Sequence, residues 1–158
     1  MPDTTYDPLT YRKQGGNEFV VASGGVLRLE AGSAVKSTDG TDLDLLKRYQ
    51  SIDIADGSAE ATYYLTAKHA GKITLIDTIT DAATSTADIT LTFSINGVAI
   101  TTGVVTIATS ASAAGDQDSC TPSALNTVAV GDKISCVVTG GGAGGSPRVH
   151  ANIEITAQ

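Results

Sequence analysis

Residues 89–97 read ITLTFSING, and their alternation decides the fold class. Apolar residues occupy every second position, with threonine or serine between them: Ile89, Leu91, Phe93 and Ile95. Because successive side chains of a strand point to opposite faces of a sheet, this period of two predicts a strand buried on one face. Asn96 and Gly97 follow at once, and the pair favours a two-residue hairpin because both central residues of a type I′ turn need positive φ.

The same alternation recurs in short segments from about residue 60 to the end of the chain. Strands are predicted in TYYLTAK, KITLIDTIT, VVTIAT, LNTVAV, KISCVVT and RVHANIEIT. In KITLIDTIT the residues expected on one face are Ile73, Leu75 and Ile79. Asp77, in the same segment, is expected at a sheet end or against a polar partner. The inward residues expected in the last two segments are Ile134, Cys136, Val138, Val149, Ala151, Ile153 and Ile155.

Seven or eight such strands, with no convincing helix, predict an all-β fold. We expect an antiparallel β-sandwich, with a jelly roll as the favoured version. Gly131, in the sequence VGD, predicts a further tight turn. Two long loops of small residues, TDAATSTAD and TSASAAGDQDSCTPSA, are candidates for an interaction surface.

Residues 1–57 have a different texture. They begin with a stretch of prolines, glycines and scattered tyrosines without a period, which is typical of an extended arm. The sequence TDGTDLDLLKRYQ predicts one or two helical turns that begin at Asp42, with inward residues drawn from Leu43, Leu45 and Leu46. A segment of this size is marginal as an independent fold. We therefore expect residues 1–57 to bury their apolar side chains against another molecule, and residues 58–158 to form a β-sandwich head domain.

The composition is that of a folded protein with an acidic surface: 41% of residues are hydrophobic, 17% are charged and none is Trp. The formal net charge of −7 opposes binding to nucleic-acid phosphates and to anionic lipid headgroups. The apolar runs are far shorter than the roughly 18–20 residues that span a bilayer, and the first residues lack a leader pattern. We expect folding in a cytoplasm, without nucleic acid or membrane as partners.

Motifs for cofactors and metals are weak. The spacing of Gly140, Gly142 and Gly145 matches a dinucleotide fingerprint, but an alternating strand follows where that motif needs a helix. A flexible loop is the better interpretation of these glycines. Asp39, Asp42 and Asp44 do not follow the ligand order of a calcium loop. We expect no cofactor and no metal.

Nucleophilic catalysis would need a Ser or Cys beside a base. The available imidazoles, His69 and His150, occupy a predicted turn and an outward strand position, where solvated side chains are expected. Cys120 and Cys136 do not make a disulfide framework, and Cys136 is expected to be a small buried hydrophobe. We expect a protein that is not an enzyme.

The run YRKQGGNEFVVASGGVLRLEAGSAV (11–35) resembles the N-terminal segments of tailed-bacteriophage head fibre and capsid decoration (cement) proteins. AKHAGKITLIDT, FSINGVAIT and LNTVAVGDKISCVVTGGGAGG are similar to the β-sandwich domains that end many phage head and tail fibre subunits. The resemblance implies a structural virion protein on the capsid exterior, assembled in the host cytoplasm as a homotrimer that contacts the major capsid protein. It implies no catalytic residues. Without a long collagen-like or coiled-coil repeat, a short knob is expected rather than a long fibre.

Two sets of residues are predicted to make these contacts. The capsid-contact candidates are Tyr6, Tyr11, Arg12 and Lys13, because Tyr and Arg anchor many interfaces. The trimer-contact candidates, from a short β-rich trimerisation stem marked by glycines, are Phe19, Val20, Val26, Leu27 and Leu29. Three arms on one trimer would bind a shell far more tightly than one arm, through effective concentration.

The alternative function is a receptor- or carbohydrate-binding module of a phage tail fibre. Such sites set aromatic and polar groups in a concave patch. In the second half of the chain the aromatic candidates are Tyr63, Tyr64 and Phe93, and two of them have inward positions. Because few aromatic side chains are left for a concave binding patch, we rank the binding-module function below the decoration function.

Overall fold

The computed structural model describes residues 10–12, 19–21, 46–142 and 146–157. The chain divides into two compact units, Met1–Asp44 and Leu45–Gln158. In the first unit, strands β1 (Thr10–Arg12) and β2 (Phe19–Val21) form an antiparallel pair.

The described part of the second unit contains nine strands and no helix. Its strands are β3 (Lys47–Ile54), β4 (Ala61–Thr66), β5 (Gly71–Thr80), β6 (Ile89–Ile95), β7 (Val98–Ile107), β8 (Gln117–Cys120), β9 (Thr127–Val128), β10 (Lys133–Gly140) and β11 (Val149–Thr156). They form two antiparallel sheets, a four-stranded sheet in the order β4-β10-β6-β7 and a five-stranded sheet in the order β3-β11-β5-β8, with β9 also paired to β5. The predicted all-β architecture is confirmed, and two antiparallel sheets are consistent with a β-sandwich.

One hydrophobic core is built from residues of both sheets. Phe93 is its largest fully buried side chain. The predicted inward residues of β6, β10 and β11 are all buried, because alternate side chains of each strand point into the core. Burial of Val, Leu, Ile and Phe side chains stabilises a fold by about 1.5–3 kcal/mol each relative to exposure, so this core is the main source of stability in the second unit.

The predicted hairpin after β6 is confirmed. Asn96 and Gly97 have φ of 51° and 85°, and Ile95 pairs with Val98 directly across them. The side-chain amide of Asn96 (Nδ2) also donates to Asp132 Oδ1 at 2.8 Å, which connects this hairpin to the tight turn before β10.

The described start of the glycine run after β10 packs backbone against backbone, and Gly145 lies outside the described residues. Gly141 has φ of 83°, and a Cβ at this position would lie 2.7 Å from the Cα of Ser58 and 2.8 Å from the carbonyl oxygen of Gly57. Its amide donates to the carbonyl of Asp88 at 3.0 Å. Strand β11 follows this loop, as predicted, whereas a dinucleotide-binding motif would need a helix there.

The prediction of helical turns before the sandwich is wrong where the structure describes the chain. Leu46 lies in a turn and is 57% exposed, and the chain from Lys47 onward is a strand that pairs with β11 over its full length. Leu43 and Leu45 lie outside the described residues. The predicted domain boundary followed Gly57, but the units divide between Asp44 and Leu45, because β3 contributes buried Ile52 and Ile54 to the core.

Within the described ranges there is no helix long and apolar enough to cross a membrane.

Candidate functional site on the five-stranded sheet

A β-bulge in β5 decides which of its residues face the solvent. The register between β5 and β11 shifts between Glu154 and Ile155, and Thr74 is the extra residue on β5. A bulge adds one residue to one strand, so the side chains beyond it move to the opposite face. Ile76 is accordingly fully buried, and Ile79 is 38% exposed.

This bulge overturns the predicted face of β5. Ile73 is buried as expected, but Leu75 is half-buried and Ile79 is exposed, so the prediction of one common inward face is wrong. Asp77 is in mid-strand rather than at a sheet end, and its cross-strand partners are Asn152 and Ser119. The expectation of a polar neighbourhood for Asp77 is therefore confirmed, and the expectation of a sheet end is not.

The outer face of the five-stranded sheet, which we call the polar face, collects most of the amide, carboxylate and imidazole side chains of the sheet. Its residues are Tyr49, Ser51, Asp53, Leu75, Asp77, Ile79, Gln117, Ser119, His150, Asn152 and Glu154. One row crosses four strands in the order Ser51, Asn152, Asp77 and Ser119. Within the described part of the chain these four side chains form no hydrogen bond or ion pair, so the row has unused hydrogen-bonding capacity.

Glu154 is only 7% exposed although it belongs to the polar face. The Thr74 hydroxyl donates to Oε1 at 2.6 Å, the Tyr49 hydroxyl donates to Oε2 at 3.0 Å, and Lys47 Nζ lies 3.1 Å from Oε2. Burial alone raises the pKa of Glu154, but hydrogen bonds from Thr74, Lys47 and Tyr49, with the charge of Lys47, outweigh it and hold the pKa below its ordinary value. The carboxylate thus links the bulge to β3 and orients Tyr49.

Both histidines are exposed, as predicted. His150 Nδ1 lies 2.5 Å from Asp53 Oδ1 on the neighbouring strand β3. His69 lies in a bend after β4. Neither imidazole is hydrogen-bonded to a Ser or Cys side chain of the described residues.

The loop between β5 and β6 uses two aspartates to hold backbone amides of other loops. Asp88 Oδ1 accepts from the amide and the hydroxyl of Thr109 at 2.7 and 2.9 Å, and Asp81 Oδ1 accepts from the amide of Arg148 at 2.8 Å. The backbone and side-chain hydrogen bonds from Thr109 lower the pKa of Asp88. These carboxylates organise the loops, and the role of the loops as an interaction surface stays a prediction.

Both cysteines are free thiols. Cys136 is buried in the core, which confirms the prediction of a small buried hydrophobe, and Cys120 is half-buried on β8. Burial raises the pKa of Cys120 to about 11 and that of Cys136 to about 12. Neither thiol has the low pKa of a reactive nucleophile.

The predicted contact residues fall partly on the described strands of the first unit. Tyr11 pairs with Val20, and Arg12 pairs with Phe19. The structure therefore brings two capsid-contact candidates opposite two trimer-contact candidates. The remaining candidates lie outside the described residues: Tyr6, Lys13, Val26, Leu27 and Leu29.

Two of the three aromatic candidates of the second unit have inward positions, as predicted. Phe93 is buried and Tyr63 packs against the core, as expected, while Tyr64 is 64% exposed with Lys133 Nζ 5.2 Å from its ring centroid. Tyr49, also 64% exposed, is not among the predicted candidates, because its segment TDGTDLDLLKRYQ was predicted to form helical turns outside the head domain. The signal that could have found it is the alternation of Ile52 and Ile54, which predicts a strand just after Tyr49.

The polar face can bind by hydrogen bonds and apolar contact. Asp77 can accept hydrogen bonds, Asn152 can both donate and accept, and Leu75 and Ile79 supply apolar surface beside them. No group of three or more His, Cys, Asp or Glu side chains in the described ranges could hold a metal ion. No protein-family model matches the chain, and a search of curated proteins finds no match.

Proposed function

We propose that the protein is a structural virion protein that decorates or cements the outer surface of a tailed-phage capsid. In this proposal the first unit contacts the major capsid protein and the sister chains of a homotrimer, and the second unit is the outward head. The observation that carries the proposal is the division into two compact units, because the second unit closes a core of its own. That division leaves the first unit free to specialise in contacts with other chains.

The pairing of β1 with β2 supports intermolecular burial of the first unit. Each strand has three residues, and an isolated two-stranded hairpin is marginally stable at best in water. Such a ribbon needs packing against further protein surface to be stable, and a capsid surface or the sister chains would supply that surface. The pairing of Tyr11 with Val20 lets one short ribbon serve both contacts.

The strand order supports the jelly-roll version of the sandwich. Four pairs are nested within one another, β6 with β7, β5 with β8, β4 with β10, and β3 with β11. Such nesting describes one long antiparallel ribbon folded over so that its strands alternate between two sheets. If the short strand β9 is set aside, each sheet has four strands in an order that is typical of jelly rolls, which occur among viral capsid and lectin domains. This likeness is at the level of the fold, and function must be argued from contacts.

Co-sedimentation with capsids tests the proposed attachment. Capsids of the tailed phage that encodes the chain, prepared without the protein, are mixed with the wild-type full chain and with the Tyr11→Ala and Arg12→Ala variants. We expect the wild type to pellet with capsids, and each substitution to weaken binding by about tenfold or more, as loss of an interface anchor does. Tyr64→Ala, which removes an exposed tyrosine from the second unit, is the matched control and should bind normally.

Light scattering tests the trimer. The wild-type chain is expected to have the mass of three chains, and Leu27→Asp or Leu29→Asp is expected to give a folded monomer, because a buried carboxylate opposes association. A wild-type monomer at micromolar concentration would contradict the trimer. A wild-type chain that stays in the supernatant while the capsids pellet would contradict the decoration role.

A further inference from the structure

The row formed by Ser51, Asn152, Asp77 and Ser119 is a ready-made set of hydrogen-bonding groups on the polar face. These residues are directly opposite one another on β3, β11, β5 and β8. Neighbouring strands are about 4.8 Å apart, so the row spans roughly 14 Å. Three of its members are exposed and Asp77 is half-buried. A ligand lying across the strands would meet one carboxylate, one amide and two hydroxyls in succession.

Apolar surface lies on both sides of this row. Leu75 and Ile79 precede and follow Asp77 on the same face of β5, each about 6.6 Å away along the strand. Tyr49 lies two residues from Ser51 on β3, and Glu154 holds its hydroxyl. A sugar ring, which has an apolar C–H face and a rim of hydroxyl groups, matches this combination of side chains.

The charges of the polar face favour a neutral ligand. The carboxylate of Asp53 contacts His150, and that of Glu154 accepts hydrogen bonds from Thr74 and Tyr49. The carboxylate of the polar face that is available to a ligand is therefore that of Asp77. Its oxygens accept hydrogen bonds and repel anions, and the whole chain has a formal net charge of −7. Hydroxyl donors therefore suit the row, whereas phosphate, sulfate or sialic acid groups do not.

The other sheet provides the contrast. The cross-strand row of its outer face that includes Val137 continues through Thr62, Thr92 and Val104, which carry hydroxyl and methyl groups alone. Amide and carboxylate side chains are thus concentrated on one of the two outer faces. The bulge at Thr74 is what brings Asp77 to that face, and bulges frequently re-aim side chains beside functional sites.

We propose that the polar face binds a neutral oligosaccharide, with Asp77 and Asn152 as the central hydrogen-bonding residues. The ring stacks against Leu75, Ile79 or Tyr49, and its hydroxyls donate to Asp77 and exchange hydrogen bonds with Asn152. Because the face is open and leaves one side of the ligand in water, the dissociation constant is expected to be on the order of 1 mM for one binding site. This activity is independent of capsid attachment.

The test starts with the purified full chain on an array that carries neutral, sialylated and sulfated oligosaccharides. A neutral oligosaccharide that binds is then titrated in solution and followed by NMR. We expect Asn152→Ala and Asp77→Asn each to weaken its binding by about tenfold, as loss of a hydrogen bond to a ligand does. Thr92→Ala, on the outer face of the other sheet, is the matched control and should bind as the wild type does. Thermal unfolding monitored by circular dichroism confirms that all three variants are folded.

The outcomes are decisive in both directions. Selective loss in the Asn152 and Asp77 variants supports the proposal. It is overturned if no neutral oligosaccharide binds at millimolar concentration, if anionic glycans bind better, or if Thr92→Ala weakens binding equally. Self-association that is abolished by Asn152→Arg would overturn it too, by identifying a second copy of the chain as the occupant. Since no capsid is present, failure here leaves the decoration role intact, and failed co-sedimentation leaves glycan binding intact.

Discussion

The bulge at Thr74 predicts that one substitution has very different effects at two nearby positions of β5. Ile76→Ala removes a fully buried side chain, whereas Ile79→Ala removes one that is 38% exposed on the polar face. Strict alternation from Ile73 would predict the reverse, with Ile79 in the core and Ile76 outside. The two variants therefore test the register of β5 directly.

The magnitudes follow from burial. Ile→Ala removes three carbon atoms, about 2.4 kcal/mol of transfer free energy if all of them leave a dry environment. At Ile76 the loss of packing around the resulting cavity adds to this, so we expect a cost of about 4 kcal/mol. At Ile79 only part of that area was buried and water fills the space, so about 1 kcal/mol is expected. The difference is a large fraction of the roughly 5–15 kcal/mol by which domains are stable.

Urea unfolding of the full chain, followed by tyrosine fluorescence and by far-UV circular dichroism, measures both costs. With a denaturant slope of about 2 kcal/mol per M, the two variants should differ in midpoint by about 1.5 M. Equal slopes for the variants and the wild type would show that the unfolding transitions are comparable. An Ile79→Ala cost as large as that of Ile76→Ala would refute the bulge.

Three further predictions concern other parts of the second unit. Glu154→Gln should cost about 1–2 kcal/mol at pH 7. The folded-state pKa of Glu154 is below the ordinary 4.5, so the stabilisation by its carboxylate is fully present above pH 4.5 and is lost as the pH falls through the folded-state pKa. Urea unfolding should therefore give a smaller cost at pH 3 than at pH 7, and equal costs would contradict the role of the carboxylate. Gly141→Ala should cost about 3 kcal/mol in thermal unfolding and Gly97→Ala about 1 kcal/mol, because both have positive φ but only Gly141 faces backbone atoms within 3 Å. With pKa values of about 11 and about 12, Cys120 and Cys136 should react slowly with a thiol reagent at pH 8 and rapidly in urea, and rapid labelling of Cys136 in the folded chain would count against its burial.

The strands whose alternation is uninterrupted could be predicted from the sequence. In β6, β10 and β11 every predicted inward residue is buried, because none of these three strands contains an extra residue that would move its side chains to the opposite face. The turn at Asn96 was equally predictable, because the need for positive φ is local to the two turn residues. For the same reason Gly131, with φ of 93°, was identified as a turn residue.

Two parts of the second unit could not be predicted in this way. Strand β3 has only two buried large apolar residues, Ile52 and Ile54, and its identity as a strand comes from pairing with β11, about a hundred residues later in the chain. The bulge at Thr74 depends on the register with Glu154 and Ile155, and the sequence of β5 alone does not reveal it. Both errors arise from contacts between residues that are distant in sequence.

By itself, the sequence determined the all-β class, most strand positions, the tight turns and the burial of Cys136, because these depend on periodicity and on backbone preferences within a few residues. Only the tertiary structure decided that β3 belongs to the second unit, that Asp77 faces the solvent, and that Asn152 lies beside it. The physical reason is that strand pairing and register are set by hydrogen bonds and packing between distant segments. A shift of one residue in that register moves a side chain from the core to the surface.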